Sequence, residues 1–205
     1  MLDRADLMLC LSRAFLPPPA GMSVADWGAP LLEDLEQLCE SLALESARIR
    51  TALGRQIACG RSATQQSAGS ADPWLVEYAR LFLVPPVRVP LNAGLYLDGA
   101  LGGGSVRMIG ACYEVAGERP HQTFRDLPDH VAMQIEFVGR LLERAARGEA
   151  DAAGMADEFV RTFVDGWAEP LERACERATP QVPAADVYAA LAGLLRAAVG
   201  EGVVE

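Results

Sequence analysis

Lysine is absent: all 18 basic residues of the chain are arginine. That excludes a Schiff-base lysine, a Ser-Lys dyad and a phosphate-loop lysine, and no G-x-x-x-x-G-K-[ST] pattern occurs. Histidine is almost as scarce, with only His121 and His130. A metal site built on two or three histidines is nearly excluded, and a Ser-His-Asp triad would have to use one of these two. The five cysteines, Cys10, Cys39, Cys59, Cys112 and Cys175, are scattered without a C-x-x-C pair. An odd, dispersed set fits small buried hydrophobes in a reducing compartment better than a disulfide framework. No uninterrupted apolar stretch is long enough to span a bilayer, so membrane insertion is not expected. The first residues, Met1-Leu2-Asp3-Arg4-Ala5-Asp6, place acids where an export signal would be basic, which leads us to expect a cytoplasmic protein. Period-2 alternation and internal repeats are missing too.

What remains is helical. With 205 residues and 51% hydrophobic content the chain can bury one substantial core. A formal charge of -10 argues against nucleic acid as a partner and favours a basic one. Helical spacing predicts a first helix over 2–16, stopped by Pro17-Pro18-Pro19, and a second over 31–44 begun by Pro30. A third, over 45–59, is expected to end at Gly60 and to lead into a small-polar, flexible internal linker over 61–71. Asp72-Pro73 is read as the start of an aromatic helix through Leu83. Prolines at 85, 86 and 90 stop that helix, and a glycine-rich long loop follows to Gly104. Ser105 is read as the cap of a helix through Val115. The stretch 151–178, with Met155, Phe159, Phe163 and Trp167 four apart, reads as one long helix kinked at Pro170. A last helix covers 183–199. The expected class is an all-α, single-domain helical bundle with a long loop between its middle helices.

The helix expected to start at Asp126 or Leu127, with Pro128 in its first turn, carries two faces. Val131, Ile135, Val138 and Leu142 form a core stripe. Asp129, Met133, Glu136 and Arg140 line the opposite side, flanked by His130 and Phe137. Methionine and phenylalanine among acids point to a surface that something docks against. Three readings of Asp129-His130 stand open: a device fixing the helix start, a catalytic or metal pair, and a polar anchor for a bound peptide. His121, in a polar loop, reads as solvent-exposed. Gly102-Gly103-Gly104, without a following strand-helix unit or a lysine, reads as a flexible loop and not a phosphate cradle.

The order of these segments resembles a family. Tyr78-Ala79-Arg80-Leu81-Phe82 leads to the proline-rich loop, then to Gly94-Leu95-Tyr96-Leu97-Asp98, a helix containing Tyr113, and Pro128-Asp129-His130 opening the next helix. A long helix with Phe163, Trp167 and Pro170 and a terminal helix with Tyr188 complete the pattern. It is similar to the TorD-like cytoplasmic chaperones of redox-enzyme maturation, which include the DmsD and NarJ types. The resemblance implies a non-catalytic helical domain without cofactor. Its implied partners are a molybdenum-containing oxidoreductase catalytic subunit and that subunit's twin-arginine leader peptide, held until cofactor insertion and export. It implies peptide contacts at Asp129, His130, Tyr96 and Phe82. To these the two-faced helix adds Met133, Glu136 and Phe137: Asp129 and Glu136 are expected to pair with leader arginines, His130 to set the helix start, and Phe82, Tyr96, Met133 and Phe137 to receive apolar residues. The expected site is a groove between the 85–104 loop and the outer face of the Asp129 helix. Two alternatives from other classes are a small helical enzyme using Asp129-His130 as an acid-base pair and a stable accessory subunit of the oxidoreductase. Monomer and helix-exchanged dimer both remain open.

Overall fold

A computed structural model describes residues 1–19, 21–64, 73–118 and 126–200. The described residues form helices joined by turns and loops, with one isolated antiparallel bridge between Asn92 and His130. In chain order the helices are α1 (Leu2–Ala14), α2 (Val24–Ser41), α3 (Ala47–Thr64), α4 (Pro73–Phe82), the short α5 (Gly94–Leu97), α6 (Gly104–Val115), α7 (Val131–Ala146) and α8 (Ala152–Phe159). A π-helical segment, Val160–Val164, then joins α8 to α9 (Asp165–Ala178), and α10 (Ala185–Gly200) completes the described fold. The all-α bundle expected from the sequence is what forms. Among the described residues no helix is long and apolar enough to cross a membrane.

The core is built around α10. Its buried set runs through Val187, Tyr188, Ala189, Ala190, Leu191, Ala192, Leu194, Leu195 and Ala198, so the helix is apolar nearly all round. Such a helix belongs in an interior, and α9, α3 and α1 pack against it. Tyr188 anchors an aromatic cluster with Phe15, Trp74, Tyr78 and Phe82. α1 lies along α7, where a Cβ at Gly139 would come within 3.1 Å of Met8 and Leu9 atoms. Ser12 Oγ donates to the Ala132 carbonyl at 2.8 Å across that contact.

Several boundaries differ from the sequence expectation. α2 begins seven residues earlier than expected, at Val24, because Ser23 accepts from Asp26 N at 3.2 Å and supplies an N-cap. Pro30 therefore sits inside the helix, on its exposed face, where water can satisfy the carbonyl it leaves unbonded. α3 runs through Gly60 to Thr64, so residues 61–64 of the expected linker are helical, and the rest of it lies outside the described residues, as do Asp72 and His121. The glycine-rich loop contains α5. α6 is begun by Gly103, and Ser105 is not the cap: its N–H and Oγ both donate to Asp98 Oδ2, at 3.0 and 2.6 Å.

The stretch expected as one long helix passes through a π-helical segment at Val160–Val164, and Pro170 lies inside α9. The cause is visible in the four-residue spacing of its stripe. On a 3.6-residue helix, positions four apart drift by about 40° at each step. A wider π turn absorbs that drift. Phe159, Phe163 and Trp167 are thereby all kept in the core.

Candidate functional site

The Pro128-Asp129-His130 segment is where the 90s loop is joined to α7. α7 starts at Val131 with His130 as its N-cap, four to five residues later than expected, because Leu127–His130 forms a turn closed by His130 N to the Leu127 carbonyl. Backbone pairs Ala93 N to Asp129 O (3.0 Å) and Val131 N to Leu91 O (2.8 Å) stitch the two strands of chain together. Asp129 is fully buried. Its Oδ2 accepts from Gly94 N at 2.8 Å and its Oδ1 from Asn92 Nδ2 at 3.3 Å, so this carboxylate caps the start of α5. A Cβ at Gly94 would stand 3.0 Å from that oxygen, which accounts for the glycine. Gln134, also fully buried, donates to Asp129 O at 2.7 Å and accepts from Trp167 Nε1 at 2.9 Å, tying the joint to α9.

His130 Nδ1 accepts from Ala132 N at 3.2 Å. Burial holds its pKa below the ordinary 6.5, against the opposing pull of Asp126 and Asp129. An imidazole whose Nδ1 already accepts a backbone N–H is suited to capping. Tyr113 donates its hydroxyl to Pro128 O at 2.9 Å, and burial, with Asp129 next in weight, pushes its pKa well up. Tyr96 donates to Pro90 O at 2.8 Å and is likewise shifted upward, chiefly by burial.

The seven residues expected to contact a peptide are thus not gathered at one surface. Asp129 and His130 lie inside the joint, and Phe82 is packed edge-on to Tyr188 at 4.7 Å in the core. Tyr96 is half-buried and pins its own loop. Met133 and Glu136 are half-buried on α7, with Glu136 held by Arg140 at 2.5 Å. At the start of α7, backbone hydrogen bonds join Leu91 and Ala93 of the loop to Val131 and Asp129.

Phe137 is different. It forms the floor of an apolar groove of about 410 Å³ between α6 and the α8–π segment. Met108, Ala111, Cys112 and Val115 of α6 line one side, and Met155, Glu158, Phe159, Thr162 and Phe163 the other. The floor is rigid: Phe137 meets Tyr113 and Phe159 edge-on, each at 4.8 Å, and Phe159 meets Phe163 at 5.1 Å. The α6 wall is uncovered, with Met108 55% and Val115 82% exposed. Burial and the facing Glu158 carboxylate raise the Cys112 thiol pKa, so that thiol is a weak nucleophile. The π turn supplies Thr162 and Phe163, and such turns are frequent at functional sites. Among the described residues no cluster of histidine, cysteine or carboxylate side chains could hold a metal ion.

The sequence reading saw the apolar stripes that form both walls of this groove but gave neither a role in recognition. Two methionines and an exposed valine in those stripes were the available signal. The spacing alone could not show that no other element covers them.

An all-helical scaffold with an open apolar groove is what these features define. The fold is similar to the crystal structure of a protein assigned to redox enzyme maturation from Archaeoglobus fulgidus. The TM-score is 0.52 at 18% identity, over 95% of this chain and 91% of that one. A sequence profile of the nitrate reductase delta subunit family matches residues 29–173, and the chain belongs to that family, the NarJ/TorD type of redox-enzyme maturation chaperone. No curated protein sequence matches it at comparable significance.

Proposed function

We propose that this protein is a cytoplasmic chaperone for a molybdenum-containing oxidoreductase. It holds the arginine-containing leader of the client's catalytic subunit, or the immature subunit itself, until cofactor insertion is complete. The observation that carries this reading is the open apolar groove of about 410 Å³, a size typical of clefts that receive ligand groups or side chains. Phe137, Met108, Met155, Phe159 and Phe163 receive the apolar part of the leader. Methionine suits this role, because its unbranched chain adapts to differing partners.

Leader arginines pair with carboxylates beside the groove. Glu158 lines it, and Glu136 and Met133 extend the surface along α7, Glu136 exchanging Arg140 for a client guanidinium. Asp129, His130, Tyr96 and Phe82 act at one remove, by setting the 90s loop, α5 and α7 in place. Removing Asp129 or His130 therefore perturbs folding before it perturbs recognition.

The test is calorimetric titration of a client leader peptide into the wild-type chain and into Thr162→Arg. Thr162 is exposed and lines the groove, so the substitution leaves the core intact while placing a cation where a basic leader must lie. Affinity is expected to fall at least about tenfold, close to the 1.4 kcal/mol that separates decades of Kd. Equal affinity in the two proteins overturns the groove assignment.

A further inference from the structure

Resting on the groove reading, we propose that the charges along the groove fix the direction of its occupant. A basic leader lies with its arginines at the Val115–Met155 end and its apolar stretch running toward Met108 and Phe163. The frame for this comes from the contacts of the two walls. Tyr113 reaches Pro128 O just before α7, and Glu118 meets Arg140 and Arg144 farther along it, so α6 runs beside α7 in the same sense. The other wall runs the opposite way, since Phe159 meets Phe137 while Trp167, beyond the π turn, meets Gln134 nearer the start of α7. The walls are therefore antiparallel. Met108 stands across from Thr162 and Phe163, Cys112 faces Glu158 midway, and Val115 stands across from Met155. The corner at Leu97–Asp98 agrees: Asp98 holds Ser105 at the start of α6, and a Cβ at Gly166 would stand 2.6 Å from Leu97.

Charge is unequal along this frame. Toward the Val115 end, Glu118 and Glu136 share Arg140, and Glu149 holds Arg144. Glu114 and Glu158 are exposed and pair with no arginine among the described residues, and exposed Asp151 stands just ahead of α8. The excess there is negative. At the Met108 end the carboxylates of Asp98 and Asp165 are matched in number by Arg107, which attracts Asp98, and by exposed Arg161. Guanidinium groups thus meet a surplus of carboxylate at one end only.

Export leaders place their basic residues before the apolar stretch. The amino end of the leader therefore lies by Val115, and its chain proceeds antiparallel to α6. The seven steps from Met108 to Val115 span about 10 Å, two turns of helix. For a helical occupant the dipole acts in the same direction, its positive amino end facing Glu114 and Glu158 and its negative end facing Arg107.

The experiment is methionine-methyl NMR of the full chain with a synthetic peptide of two arginines followed by a leucine-rich stretch, carrying a nitroxide at one end or the other. A nitroxide beside the arginines is expected to broaden Met155 several-fold more than Met108, and one at the far end to do the reverse. The opposite pattern, or equal broadening from both labels, overturns the direction and leaves the groove reading in place. Broadening of Met133 with neither Met108 nor Met155 affected overturns both. The exposed pair Glu114→Gln/Glu158→Gln supplies a second measurement, because it removes charge and keeps shape. Peptide affinity falls several-fold in it and the difference between Met155 and Met108 shrinks. An unchanged difference contradicts the assignment of direction to these carboxylates.

Discussion

Asp129 is the residue whose meaning the structure changes most. A carboxylate and an imidazole side by side at a helix start invite a catalytic or ligand-binding reading. Here Asp129 accepts from Gly94 N and Asn92 Nδ2, and His130 Nδ1 accepts from Ala132 N. Asp129→Ala leaves the Gly94 amide without its partner in a buried site, a loss of about 1–3 kcal/mol. The expected result is a lower denaturation midpoint with leader affinity of the folded protein unchanged, checked by chemical unfolding alongside titration. A loss of affinity at full stability would return Asp129 to the binding surface. His130 yields a pH dependence with a definite sign. Its folded pKa lies below the ordinary 6.5, so below that pH the unfolded chain binds more protons than the folded one. Stability from this group is fully present above the ordinary pKa of 6.5 and declines as pH falls below it. His130→Asn keeps a cap acceptor without a titrating group, and thermal unfolding across this range should be flatter for it. Parallel curves for the two proteins would show that His130 is not the group responsible.

At the scale of elements, the joint between α7 and α9 rests on Gln134, which satisfies Asp129 O and Trp167 Nε1 at once. Gln134→Leu has nearly the same volume but takes the acceptor from Trp167 Nε1, while Asp129 O keeps Ala93 N. It is expected to cost about 1–3 kcal/mol, from one buried donor left without its partner, measurable by urea unfolding. A change below about 1 kcal/mol would mean the joint relaxes around the loss. Helix existence was legible in the sequence because apolar spacing is a local signal, and α1, α4, α6 and α10 lie close to where it placed them. Boundaries were less legible where a cap competed with a proline, as Ser23 does with Pro30. The π turn after α8 was not expected, because it announces itself only as four-residue spacing, whereas Pro170, inside α9, is a visible breaker. The groove is a different matter. Whether a stripe such as Met108–Cys112–Val115 is core or surface depends on whether a neighbour covers it, and that is a property of the assembled bundle. The sequence could name Pro128-Asp129-His130 but could not show that Asp129 and His130 are buried inside the joint.

At the scale of the molecule, a net charge of -10 and a groove with Glu158 in its wall make the chain complementary to a basic apolar segment. Part of the affinity is therefore electrostatic. Raising salt from about 0.05 to 0.5 M, which shortens the screening length to a few ångströms, should weaken leader binding several-fold without abolishing it. The residual affinity belongs to the apolar floor of Phe137, Phe159 and Phe163, whose burial contribution salt does not screen. Complete salt-insensitivity would remove the carboxylates from recognition. The central claim is the position of the client segment, and photo-cross-linking tests it most directly, with a leader peptide carrying a benzophenone in its apolar stretch. The groove assignment predicts adducts on Met108 of α6 and Met155 of α8. Adducts confined to the 85–98 loop and the outer face of α7 around Met133 would contradict it.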